Sequence, residues 1–142
     1  MSGKIEKDAD IAPVSERQSH EPPSAIAVDG WRYHHMGIPT QTPQPGEIHV
    51  PHLKIHVAGF ESSPCGIQWM RFEPDSPVHA LIKSVPHIAF EVDDLQSAIA
   101  GKQILTEPNS PSEGVMVAMI LDSGAPVELL EFKRHGGDGS MP

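Results

Sequence analysis

The clearest alternation of apolar and polar positions runs from residue 87 to residue 92. Ile88, Phe90 and Val92 alternate with His87, Ala89 and Glu91, the period-two pattern of a half-buried strand. One face of that strand is apolar; the other carries an imidazole, a small residue and a carboxylate. Asp93 or Asp94 is suited to cap a helix, and Leu95, Ala98 and Ile99 then share one helical face. The order histidine, apolar, small, apolar occurs twice, in His35-Met36-Gly37-Ile38 and in His87-Ile88-Ala89-Phe90. Downstream of each lies a second matching strand: Gln68-Trp69-Met70-Arg71-Phe72 after His35, and Glu128-Leu129-Leu130-Glu131-Phe132 after His87. A chain that repeats a unit of this kind is read as two similar modules before any single motif is weighed.

In order, residues 1–30 are polar and mixed in charge, with Ala25-Ile26-Ala27-Val28 as the one apolar patch. They are expected to form a disordered or loosely docked leader. Strands are predicted over 31–39, 47–50, 53–58, 67–72, 87–92, 103–106, 115–121 and 127–132. Thr40 to Gly46 holds two prolines, which lack an N–H and fix φ, so no helix is expected there. A short helix is expected from Asp75 to Lys83, with Pro77 in its first turn, and another from Asp94 to Ala100, stopped by Gly101. The second module (85–134) therefore reads β-α-β-β-β. The first (31–84) reads the same with its helix replaced by the proline loop. Residues 135–142 are expected to be a flexible tail.

Parity along the strands tests which side chains share a face. With His35, Gln68, His87 and Glu128 pointing to one side, Met36, Ile38, Ile67, Trp69, Ile88, Phe90, Val127 and Leu129 all point to the other. Each module thus supplies two candidate ligands, which suggests a pseudo-symmetric metal site with small residues, Gly37 and Ala89, beside it. Two imidazoles, a carboxylate and an amide oxygen suit Zn, Co, Ni, Mn or Fe(II) without choosing among them. Such an ion acts as a Lewis acid on a developing enolate, and a nearby base moves the proton. Glu128 is one candidate base. His56 and Lys54 are the others, on the expectation that Leu53, Ile55 and Val57 face outward. His34 has the parity opposite to His35 and is assigned no ligand role. Glu131 is read as a surface residue. Cys65 and the remaining histidines receive no role.

The segments YHHMGI, GIQWMRFEPDSP, VPHIAFEVDDL and GAPVELLEFK, spread over most of 31–133, resemble the vicinal oxygen chelate superfamily, the group that includes glyoxalase and methylmalonyl-CoA epimerase. The resemblance implies an α+β fold of two βαβββ modules whose curved mixed sheet cups a divalent metal ion. It implies His35, Gln68, His87 and Glu128 as the ligands, matched to the histidine of each first strand and the Gln or Glu of each last strand. The absent first-module helix departs from the family pattern, and no residue clearly matches the family's second catalytic carboxylate.

Composition narrows the classes. At 142 residues the chain suits one main domain. A formal charge of -9 argues against nucleic acid or an anionic membrane as partner. One cysteine allows no internal disulfide, which fits a reducing, cytoplasmic location. The leading expectation is a metal-dependent isomerase or lyase that stabilises the enolate of a small carbonyl or thioester substrate. An Fe(II) extradiol-type dioxygenase using His35, His87 and Glu128, and a metal-free small-molecule binding or resistance protein, are the alternatives. A homodimer is expected, because Ile38, Ile55, Val57, Ile67 and Trp69 would otherwise leave an apolar face uncovered.

Overall fold

Eight strands join edge to edge into one mixed, curled half-barrel sheet with few helices, an α+β architecture. The structure is a computed structural model, and it describes residues 19–133. The strands are β1 (Arg32–Pro39), β2 (Ile48–Val50), β3 (Ile55–Ala58), β4 (Ile67–Phe72), β5 (His87–Glu91), β6 (Gln103–Asn109), β7 (Val115–Asp122) and β8 (Ala125–Phe132). Their order in the sheet is β2-β3-β4-β1-β5-β8-β7-β6. That order is a repeat: β1 pairs in parallel with β4, β5 pairs in parallel with β8, and β1 meets β5 antiparallel at the centre. Between β1 and β2 the proline-bearing loop forms no helix, as expected of residues that cannot donate to a helical ladder.

Helix α2 (Ala80–Ser84) packs on β1, and helix α3 (Leu95–Ile99) packs on β7 and β8. Asp94 caps α3 by accepting from the Ser97 N–H and hydroxyl. Glu131, expected at the surface, accepts from the Leu95 N–H at 2.8 Å and so ties β8 to the start of α3. The expected helix from Asp75 starts later, at Ala80, with His79 as its cap. The reason is tertiary. Asp75 pairs with Lys54, and the Ser76 hydroxyl donates to the Leu53 carbonyl at 2.7 Å, which holds this segment against the entry to β3. The β7–β8 hairpin closes on Ser123 and Gly124, both at positive φ, the geometry of a two-residue turn that matches strand twist.

Residues 19–31 belong to a unit separate from the sheet. Its described part holds a short helix, α1 (Ser24–Ala27), after which the Trp31 N–H donates to the Ala25 carbonyl. The rest of the expected leader, 1–18, and the expected tail at 135–142 lie outside the described residues. Among the described residues no helix is long and apolar enough to cross a membrane.

One parity expectation is reversed. Val57 pairs with Met70 and Ile55 with Phe72. These residues therefore share the face of Gln68, since direct partners and alternate residues lie on one side. His56 pairs with Arg71 and Ala58 with Trp69, on the opposite face. The outer face of the first module is thus mixed, with Arg71 and His56 beside Ile38, Ile67 and Trp69, and it is less apolar than expected.

Candidate metal centre

The register of the two modules is the same at the site. Gly37 pairs with Gln68 in one, and Ala89 with Glu128 in the other. Each partner stands two residues beyond a histidine on its strand. Across the central pair, His35 stands opposite Ala89 and His87 opposite Gly37. A small residue thus faces each imidazole, and the space this leaves is what lets two rings enter one cup.

Three side chains meet there. His35 Nε2 lies 3.2 Å and His87 Nε2 3.1 Å from the same oxygen, Glu128 Oε1. The imidazole centroids are 5.7 Å apart and their planes 80° to each other. Both histidines are buried, and the Glu128 side chain keeps 16% exposure. Gln68 is placed by register beside Gly37, on the face that carries the His87 ring.

Burial alone would push the Glu128 carboxyl up. The hydrogen bonds from His35 and His87, and their charge, outweigh it and hold the group down at about 2. Glu128 is therefore an anion over the whole physiological range. That suits a ligand better than a general base, whose pKa should lie near the working pH.

The two histidines are held by different means. Behind His35, its Nδ1 lies 2.8 Å from His34 Nδ1, so one ring donates and the other accepts. A partner on the far nitrogen fixes the tautomer and aims the other nitrogen. Parity gives His34 no ligand role, but a bulge between Tyr33 and His35 breaks the alternation and brings it to the site. The His34 ring stacks on Phe60 at 5.0 Å between centroids and tilts against Phe132. Burial, then the neighbouring His35, lowers its pKa. A bulge leaves no mark in an apolar–polar pattern, so only the adjacency of two histidines hinted at this role. His87 has no such support. Its Nδ1 is buried with no hydrogen-bond partner among the described residues, so the Nε2 contact to Glu128 and the packing around the ring are what orient it. A Cβ on Gly37 would lie 2.3 Å from His87 Cε1, 2.7 Å from its Nε2 and 2.8 Å from Met70 Sδ.

The donor set fits a divalent ion. Neighbouring ligands at right angles around an ion with bonds of about 2.1 Å stand about 3 Å apart, close to the two separations measured here. Neither His56 nor Lys54 is brought to the site. His56 lies on the other face of the sheet, 3.1 Å from Glu73, and Lys54 pairs with Asp75. His56 takes this position because strand β3 sits one position out of the expected phase.

No family model matches the chain, and no curated protein matches it. Among solved structures it is similar to the hypothetical protein BH1468 from Bacillus halodurans C-125, with TM-score 0.58 and 20% identity over 76% of this chain and 99% of that one. It is also similar to methylmalonyl-CoA epimerase from Mycobacterium tuberculosis, with TM-score 0.47 and 18% identity over 70% of this chain and 87% of that one. The first likeness shows the fold alone.

Proposed function

We propose that this chain is a metal-dependent enzyme of the vicinal oxygen chelate type, an isomerase or lyase acting through the enolate of a small carbonyl or thioester compound. The observation that carries the reading is the convergence of His35, His87 and Glu128 on one point beside Gly37 and Ala89. Those three residues would hold the ion, and Gln68, at the position matching Glu128 in the repeat, is the proposed fourth ligand. The bound ion would supply a Lewis acid for charge developing on a substrate oxygen, worth several kcal/mol.

The chain's own residues do the rest. Glu128, anionic at every working pH, offsets the charge of the ion. His34 keeps His35 in one tautomer. Phe60 packs against both His34 and His35 and helps to hold the pair in place.

The test is metal analysis of protein purified without chelators, followed by α-proton exchange into deuterated solvent with simple thioesters and 2-oxo compounds. The expected result is a bound ion that is lost in His87→Ala, with exchange that depends on it. Equal metal content in wild type and His87→Ala would end the proposal.

A second reading has its own support. Two histidines and one carboxylate are the ligand set of non-haem Fe(II) oxygenases, and His35, His87 and Glu128 supply that set. Oxygen uptake by the Fe(II)-loaded protein with a catechol, and none with Zn, would favour it.

A further inference from the structure

On the opposite face of the sheet from Glu128, β2 and β3 bring a second set of donors together. We propose that His49, His56 and Glu73 form a second divalent-cation site, distinct from the one in the cup.

His49 and His56 are direct cross-strand partners in the β2–β3 pair. Side chains at such positions start about 5 Å apart and point the same way. Their rings are stacked, with centroids 4.4 Å apart and planes at 10°. Stacking aligns the two rings edge for edge, and both Nε2 atoms turn to one oxygen. His49 Nε2 lies 2.9 Å and His56 Nε2 3.1 Å from Glu73 Oε2. Two nitrogens and a carboxylate oxygen at these separations match neighbouring positions around one ion. The cup shows the same donors with nearly the same spacings.

Support extends behind the ligands. His56 Nδ1 faces Glu47 Oε1 at 3.9 Å, within reach of a bridging water. Glu47 is fixed by Arg71, whose Nε donates at 2.8 Å, and by the Gln44 N–H at 3.0 Å. The guanidinium of Arg71 pairs with this carboxylate, which faces the His56 ring. An anion behind a histidine whose front nitrogen faces the other donors is the usual outer support of such ligands. Glu73 is set by its own N–H, which donates to the Lys54 carbonyl. Lys54 is among the few non-glycine residues at positive φ, so this turn is conformationally constrained.

The site differs from the cup in access. The side chains are 47%, 22% and 31% exposed for His49, His56 and Glu73. An ion there would keep open positions toward solvent. Two imidazoles and one carboxylate favour Zn, Cu(II), Ni or Co over Mg or Ca.

Equilibrium dialysis of the full, chelator-stripped chain against micromolar Zn²⁺ tests the proposal. Wild type should take up two ions per chain, His49→Ala and Glu73→Gln one each, His87→Ala one, and the His49→Ala/His87→Ala double variant none. If wild type takes one ion that His49→Ala removes and His87→Ala does not, the second site stands and the cup reading falls. If His49→Ala and Glu73→Gln leave the uptake of wild type unchanged, or the double variant still binds, the second site is overturned. His49 is exposed, so its variant should fold. A Zn-dependent rise in melting temperature in His87→Ala that Glu73→Gln abolishes gives a second readout, and its absence counts against the site.

Discussion

Gly37 stands directly across the strand pair from His87, and a Cβ at position 37 would lie 2.3 Å from the His87 ring. The imidazole occupies the volume that a side chain would take. With no hydrogen bond on its Nδ1, the ring depends on that space for its aim.

Gly37→Ala should therefore push His87 off Glu128. Overpacking costs about 1–3 kcal/mol of stability, but the larger effect should fall on the metal, roughly 10–100-fold in affinity. A Zn competition titration alongside thermal melting checks this. Unchanged affinity would show that His87 is no ligand.

His34→Ala should weaken the cup ion by roughly 10–100-fold, since it removes the group that fixes the His35 tautomer. Fold should persist, because the lost contacts are with Phe60 and Phe132 at the rim. Titration with Co²⁺, read by its absorption spectrum, separates lost affinity from lost structure.

Glu128 gives a pH dependence with a definite sign. Its carboxyl is lowered from 4.5 to about 2 in the folded chain. A depressed carboxylate contributes stability that is present above the unfolded value and lost as pH falls through the folded one. Metal-free protein should lose stability from about pH 4.5 down to about 2. Glu128→Gln should flatten that limb, as followed by circular dichroism in urea. An acid limb of equal slope in both proteins would contradict the assignment.

Self-association rests on a smaller patch than parity suggested, since Ile55 and Val57 lie on the other face from Trp69. Ile38, Ile67 and Trp69 remain as its proposed basis, and Trp69→Ser should shift a dimer toward monomer. Sedimentation velocity at micromolar concentration measures it, and a wild-type monomer would end the proposal.

What the sequence determined by itself was the repeat. The order of histidine, apolar and small residues in 35–38 and 87–90, with Gln68 and Glu128 downstream, predicts both the paired strands and which side chains share a face. A period-two pattern is a local property, and where strands run unbroken it maps straight onto the sheet. The loop at 40–46 was legible for a similar reason, because proline acts on its own backbone. Tertiary structure decided the rest. A bulge at Tyr33–His35 moved His34 to the site, and pairing between β3 and β4 sent His56 to the far face. Both are matters of register, which depends on the partner strand and so cannot be read from either strand alone. The second cluster shows the same limit. His49, His56 and Glu73 share no spacing motif, and only the antiparallel pairing of β2 with β3, and the turn that carries Glu73 back to them, brings three ordinary surface residues to one point.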